Sequence, residues 1–187
     1  KTVNDLRGTK AAISRYGSGS HLMAYINAQN NQWDLDNDLN FEVIKDLEGA
    51  VEGLTNNAAD YFLWEKFTTK PLVDDGTFRR IDNCTSPWPC FVIAVRTEFL
   101  EQNKDDVKTI LNIINKTTNE FKDIPSIDKT IANRYQQKLQ DVKEWLTLTE
   151  WSQNTIDAHT INNVQDKLYA LNIIPEKWDY NQLVTKI

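Results

Sequence analysis

Apolar and polar residues follow two different patterns along the chain, which divide it into a first part of mixed strand and helix patterns and a second, helical part. In the first part, runs rich in β-branched and aromatic residues predict strands, and apolar residues three and four positions apart predict helices. The predicted strands cover residues 10–15, 41–45, 60–64, 78–83 and 90–96, and the predicted helices cover residues 21–31, 47–57 and 69–75. This alternation predicts an α/β domain with a parallel or mixed sheet.

From residue 101 onward, the apolar spacing is helical throughout. Asn103, Ser126 and Thr160 have side chains suited to capping the first, second and last of these helices, and a further helix is predicted over residues 141–153. No strand pattern separates these helices. We therefore expect them to pack against a part of the fold that the first ninety residues do not supply.

Composition and charge exclude several classes of protein. The chain has 187 residues and a net charge of −6, without a basic tail, so nucleic acid and anionic membranes are poor partners. Only 6 glycines and 5 prolines are present, which argues against a sandwich or barrel built on many tight turns. The longest apolar run, Cys90–Val95, is far shorter than the ~20 residues of a membrane-spanning helix. We expect no insertion into a membrane.

The most informative stretch joins the first predicted strand to the first predicted helix. A helix N-terminus carries unbonded N–H groups and a positive dipole end, which favour a carboxylate, phosphate or sulfonate. Glycines would let the backbone approach such a ligand closely, and serines would add hydroxyl groups. The alternative is a purely structural turn with a serine cap. The candidate residues are Tyr16, Gly17, Ser18, Gly19, Ser20 and His21.

Two further segments carry candidate binding residues. The strand predicted over residues 60–64 ends in Trp64 and Glu65, an aromatic plane and a carboxylate at the carboxyl edge of the sheet, where α/β proteins bind ligands. Alternatively, this is a buried strand with a solvated glutamate. In the second segment, Pro87 and Pro89 flank Trp88, which suits a hinge between lobes or simply a stiff linker.

The remaining side chains give little sign of a metal or redox site. Cys84 and Cys90 lack the CxxC spacing and an accompanying histidine cluster, so we predict no metal and favour buried free thiols over a disulfide. No cofactor is expected.

Several segments resemble type 2 periplasmic-binding-protein-like folds, in the branch that contains taurine-, alkanesulfonate-, nitrate- and thiamine-precursor-binding proteins. The chain is most similar to a small fungal and bacterial subgroup typified by a Candida protein. The segments are TVNDLRGTK at 2–10 with the following AAISRYGSGSH, ADYFLWEK at 59–66, KEWLTLTEW at 143–151 and KLYALNII at 167–174.

The resemblance implies a two-lobed protein that closes on a small ligand. Residues 1–85 would form the second α/β lobe, with the ligand-binding turn. Residues 86–187 would supply a crossover strand and C-terminal helices that belong to the first lobe, and a further half-lobe would precede Lys1. The turn would hold the ligand's anionic or polar end, and Trp64, Glu65 and Trp88 would form a wall and a polar anchor.

Three functional hypotheses remain from the sequence. The leading one is a non-catalytic protein that binds a sulfonate, carboxylate or aminopyrimidine, with a transporter as partner if the protein is exported. The second is an enzyme of thiamine-precursor synthesis with His21 and Glu65 as acid–base pair, although the cysteine-rich motif of the fungal enzymes is absent. The third is an α/β interaction module without a small ligand. A bacterial transport component would be periplasmic, and a fungal relative would be cytoplasmic.

Overall fold

The computed structural model describes residues 2–187 and divides them into two units. The first unit ends at Pro87 and the second spans Trp88–Ile187. The first contains a β-sheet with helices, and the second contains helices.

The first unit is built on a three-stranded sheet in the order β2-β1-β3, and all its pairings are parallel. The strands are β1 at Lys10–Ile13, β2 at Asn40–Val43 and β3 at Tyr61–Phe62. In the central strand, Lys10 lies opposite Asn40 and Ala11 lies opposite Tyr61. Three of the five predicted strands are therefore confirmed, each shorter than its apolar run, and the sheet is parallel rather than mixed.

Two helices follow the first two strands and pack on opposite faces of the sheet. Helix α1, Gly19–Asn30, places Ala24 and Ala28 in one buried cluster with Ala11 of β1. Helix α2, Leu47–Thr55, places Ala50 in a second buried cluster with Ala12, the next residue of β1. Successive strand residues point to opposite faces, and small alanine side chains on both sides let the helices approach closely. The predicted helices at 21–31 and 47–57 are confirmed, and the third, α3, spans Lys70–Asp74.

Helix α2 begins soon after β2, with Ile44, Lys45 and Asp46 between them. The carboxylate of Asp46 caps the helix by accepting a hydrogen bond from the N–H of Gly49 at 2.9 Å. A Cβ atom at position 49 would lie 1.9 Å from the carbonyl oxygen of Ile44. Only glycine fits there, which fixes how the chain leaves β2.

Two predicted strands, at residues 78–83 and 90–96, are wrong. Both segments have neither helix nor strand structure. Phe91 is 89% exposed and Val92 is 64% exposed. β-Branched and aromatic residues favour an extended backbone, but a strand also requires a partner for its ladder, and no such partner is found among residues 2–187.

The second unit contains six α-helices and a short 3-10 helix, Phe121–Asp123, among its described residues, and most of its apolar side chains are only partly covered. Val107, Ala132 and Val142 are buried, whereas Ile110 and Ile113 of α5 are 51% and 60% exposed. The helices are α4 at Thr97–Gln102, α5 at Lys104–Glu120, α6 at Ile127–Tyr135, α7 at Leu139–Leu148, α8 at Ala158–Ala170 and α9 at Tyr180–Leu183.

The predicted helix caps in this unit are wrong in detail. The side chains of Asn103 and Ser126 make no capping hydrogen bond, although both residues stand at the N-cap position. Asn103 is instead the C-cap of the preceding helix α4, and its Nδ2 donates to the carbonyl oxygen of Phe99 within that helix. Helix α8 is capped by Asp157, whose carboxylate accepts from the N–H of the predicted cap, Thr160, at 2.8 Å. Helix α7 ends before residue 153, and α9 was not predicted.

Candidate functional site

The candidate site lies at the carboxyl edge of the sheet. At this edge the chain first adds a strand on one side of β1 and then adds the next strand on the other side. From β1 the chain continues to β2 on one side and then to β3 on the other. In open α/β sheets this arrangement leaves a crevice between the two strands at the switch point. Ser14 and Trp64 both lie two residues beyond the last paired residues, Ala12 and Phe62. The fold therefore brings two of the predicted segments to the same edge.

Ser18 and Ser20 hold the turn between β1 and α1 in shape. Ser18 is the N-cap of α1, and its Oγ accepts a hydrogen bond from the N–H of His21 at 3.3 Å. The Oγ of Ser20 accepts from the N–H of Ser14 at 2.9 Å and lies 3.0 Å from the Oγ of Ser18. Both serines are buried. Their hydroxyl groups thus serve the turn itself.

The turn also leaves donors and space for a ligand. Ser18 caps only one of the first N–H groups of α1, and those of Gly19 and Ser20 have no acceptor among the described residues. The first turn of α1 contains no acidic side chain that would offset the positive end of its dipole. A Cβ atom placed on Gly17 or Gly19 would meet no atom within 4 Å. Gly17 has φ +74°, which explains the glycine there.

His21 lies beneath this turn in a cluster of aromatic rings. Its Nδ1 accepts a hydrogen bond from the N–H of Gly17 at 3.1 Å, whereas its buried Nε2 has no partner among the described residues. Its ring centroid is 5.2 Å from that of Tyr16, 5.0 Å from that of Tyr25 and 4.8 Å from that of Phe41, all in edge-to-face geometry. Burial lowers the pKa of His21 below its ordinary value, which favours the neutral imidazole.

Tyr25 and Phe41 belong to this cluster, although the sequence analysis did not select them. Tyr25 stands four residues after His21 on the same helix face, a spacing that could have identified it. Phe41 comes from β2 and reaches the cluster through the pairing of β2 with β1. Burial, followed by the charge of Asp36, raises the pKa of the Tyr25 phenol.

Trp64 and Glu65 follow β3 with different surroundings. The Trp64 ring stacks on that of Phe62, with centroids 4.9 Å apart, and remains 40% exposed. Oε2 of Glu65 accepts from the backbone N–H groups of Phe67 and Thr68, at 2.9 and 2.6 Å. Glu65 therefore shapes the turn after β3. Its contact with a ligand, and that of Trp64, stays a prediction.

The other predicted features belong to other parts of the chain. Trp88 is the first residue of the second unit. Cys84 and Cys90 are free thiols, as expected, but Cys84 is only partly buried and Cys90 is exposed, so the prediction of buried thiols is wrong for Cys90. Within residues 2–187, no group of His, Cys, Asp and Glu side chains has a metal-binding arrangement. Nor does any described helix combine the length and apolar character needed to cross a membrane.

A shallow concavity lies between the end of β2 and α2 and contains none of the predicted site residues. Its lining is acidic, with Glu42, Asp46, Glu48 and Glu52 outnumbering Lys45. This surface would repel the anionic ligands that the turn favours.

The parallel sheet with its flanking helices and the superpositions below define the class: the chain has the periplasmic-binding-protein fold. Residues 1–84 match the profile of a family described as Ca3427-like PBP. The Candida albicans CA3427 gene product, which exhibits the generic periplasmic binding protein fold, superimposes with a TM-score of 0.76 at 22% identity, over 91% of this chain and 58% of its own. These findings confirm the resemblance expected from the sequence.

A second similar structure is the alkanesulfonate-binding protein SsuA from Xanthomonas axonopodis pv. citri, bound to MOPS. Its TM-score is 0.72 at 17% identity, and the match covers 95% of this chain and 62% of SsuA. The chain thus spans about three fifths of the length of each of these two structures. A comparison with curated proteins gave no match.

Proposed function

We propose that this chain contributes the polar contact site of a non-catalytic solute-binding protein. The ligand's anionic or polar group would lie at the turn between β1 and α1, and its body would lie beside Trp64. The observation that carries the proposal is the pair of unbonded N–H groups, of Gly19 and Ser20, at a helix N-terminus with open space around it.

The fold supports the same class of function. Both superimposed structures have the periplasmic-binding-protein fold, and SsuA binds an alkanesulfonate-type ligand. Because the whole chain carries a net charge of −6, a negative ligand must be attracted by local groups rather than by the overall field. The ligand classes we propose are sulfonates, carboxylates and aminopyrimidines, the last through an unprotonated ring nitrogen.

Position 19 offers a test that separates ligand binding from the integrity of the turn. Gly19 is the first residue of α1, where proline is well tolerated because its missing N–H has no helical partner. The preceding residue, Ser18, already has the extended backbone that a following proline requires, with φ −82° and ψ 169°. Gly19→Pro therefore removes one proposed ligand donor and keeps the helix. Gly19→Ala adds a Cβ to open space and keeps the N–H, so it is the matched control.

Calorimetric titration with MOPS, acetate and a 4-aminopyrimidine should show binding of at least one probe to the wild type and to Gly19→Ala. A hydrogen bond to a charged group contributes about 1.5–3 kcal/mol, so Gly19→Pro should weaken that binding by roughly ten- to a hundredfold. Equal affinities for the two variants would contradict the placement of the ligand. No binding of any probe would contradict the proposed function for these ligand classes.

Ser18→Ala with Ser20→Ala is a second test of the turn. Because both hydroxyl groups hold the turn, the double variant should lose binding and also lose stability, by about 1 kcal/mol for the cap alone. Unchanged affinity in that variant would contradict the role of the turn. The enzymatic alternative gains no support, because His21 and Glu65 make no contact with each other among the described residues.

A further inference from the structure

His21 presents an unsatisfied buried hydrogen-bond donor beside the proposed ligand position. The side chain is only 7% exposed, and its Nε2 has no hydrogen-bond partner in the described chain. Buried polar atoms in native proteins are nearly always bonded, so an unbonded one calls for a specific explanation. A ligand that completes the bond is such an explanation.

The partner of Nδ1 determines which ring nitrogen carries the proton. The N–H of Gly17 can only donate, so Nδ1 must accept and be unprotonated. The neutral imidazole then carries its hydrogen on Nε2. A doubly protonated ring would place its Nδ1–H against the N–H of Gly17. The free protein therefore holds a neutral donor, fixed by the same turn that leaves the N–H groups of Gly19 and Ser20 unbonded.

Tyr16 is the most exposed ring in the cluster. Tyr25 and Phe41 are partly buried and pack against the core cluster between α1 and the sheet. Tyr16 is 65% exposed, follows the end of β1 in the turn, and makes no hydrogen bond through its hydroxyl group among the described residues. Displacement of the Tyr16 ring would break its contacts with the rings of His21 and Phe41. It would leave the packing of the core cluster unchanged, because Tyr16 is not part of that cluster.

We infer that Tyr16 is a movable cover over His21, and that ligand binding displaces it so that Nε2–H donates to the ligand. This inference rests on the proposed function, and it narrows the ligand chemistry. Because a neutral Nε2–H can only donate, the atom it meets must be an acceptor, such as a sulfonate or carboxylate oxygen or an unprotonated ring nitrogen. An ammonium group cannot occupy that position.

Nitrogen NMR of the protein labelled with ¹⁵N-histidine tests the donor directly. The chain has only 2 histidines, His21 and His159, so a His159→Gln variant assigns the signals. The free protein should show a neutral His21 ring with the proton on Nε2. Saturation with MOPS, or with acetate or the 4-aminopyrimidine if that is the probe that binds, should shift the Nε2–H resonance downfield, as a new hydrogen bond requires. A proton on Nδ1 in the free protein would overturn the inference.

Two variants of Tyr16 test the cover. Tyr16→Ala removes it, so affinity should rise severalfold, because the free protein no longer spends most of its time covered. Tyr16→Phe keeps the ring and should bind like the wild type, because the hydroxyl group makes no bond. Weaker binding by Tyr16→Ala would show that the ring contacts the ligand and would overturn the cover.

The outcomes separate the inference from the proposed function. Binding that depends on Gly19 and leaves the Nε2 resonance of His21 unchanged would contradict the inference alone. Absence of binding by all three probes would contradict both.

Discussion

One hydrogen bond links the protonation of His21 to the conformation of the turn between β1 and α1. The N–H of Gly17 donates to Nδ1, so a proton on that nitrogen breaks the bond at the residue whose φ of +74° shapes the turn. Burial acts in the same direction, because it disfavours the charged ring. Acidification should therefore loosen the turn before it affects the sheet.

This link predicts a pH dependence of stability. The pKa of His21 lies below 6.5 in the folded protein, so between that lowered pKa and 6.5 the unfolded chain binds a proton that the native chain does not. The free energy of unfolding should accordingly decrease as pH falls through this window. Below the lowered pKa both states bind the proton, so His21 should cause no further decrease. Urea denaturation at a series of pH values measures the slope.

Two variants identify the histidine responsible. His21→Gln should flatten the slope in this window, whereas His159→Gln should leave it unchanged, because His159 lies exposed near the start of α8. A slope that survives in His21→Gln and disappears in His159→Gln would refute the assignment.

At the residue scale, the sequence identified candidate side chains but did not predict which of their atoms form hydrogen bonds within the protein itself. The serines of the turn were expected to offer hydroxyl groups to a ligand, and both are occupied by bonds within the turn. Glu65 was expected as a polar anchor, and its carboxylate is engaged by the next turn. A capping bond depends on the exact position of the helix start, which side-chain type alone does not define.

At the scale of elements, the contact between α2 and Ile44, the residue that follows β2, depends on two glycines on one side of the helix. A Cβ atom at position 49 would lie 1.9 Å from the backbone oxygen of Ile44. A Cβ atom at position 53 would lie 3.1 Å from Cγ2 of the Ile44 side chain. The first cannot be accommodated without movement of the backbone, whereas the second requires only a shift of a side chain.

Gly49→Ala should therefore destabilise the first unit by about 2 kcal/mol or more, despite the higher helix propensity of alanine. Gly53→Ala should be close to neutral, because a propensity gain of about 1 kcal/mol offsets the displaced side chain. Hydrogen exchange of peptides from β1 and α2 reports on the first unit separately from the second. Similar exchange rates in the two variants would show that the close approach is not required.

The sequence predicted a helix or strand well where the local spacing of apolar residues is enough to form it. Helix α1 follows from its apolar spacing, and β1 from a short apolar run after a glycine turn. The predictions at 78–83 and 90–96 failed because strand formation depends on a neighbouring strand elsewhere in the chain. The parallel order β2-β1-β3 likewise depends on pairing between distant segments. The alternation of strands and helices indicated only the α/β fold class.

At the scale of the whole molecule, a long stretch without helix or strand joins the two units. It runs from the end of α3 to the start of α4, across the boundary after Pro87. Most of its residues are exposed, including Arg79 and Arg96. Exposed backbone outside helices and strands is where proteases cut first.

Limited trypsin digestion should cleave first after Arg79, Arg80 or Arg96, and it should release fragments that correspond to the two units. Arg80 should be the slowest of the three sites, because its guanidinium group donates to the carbonyl oxygen of Lys66 at 3.0 Å. Replacing all three arginines by glutamine should delay the first cut. Mass spectrometry identifies the sites, and early cleavage within α5 or α8 would contradict this account.

The central position of β1 also determines when during synthesis the sheet can form. The strand is made before both of its partners, because β2 follows only after α1 and β3 only after α2. Until then, Ala11, Ala12 and Ile13 lack the pairing that buries them in the finished fold. Pairing between distant segments is slow compared with helix formation. The nascent chain therefore carries its future core strand unpaired until β2 and β3 have been made, and a chaperone acting during translation would meet the strand in that state.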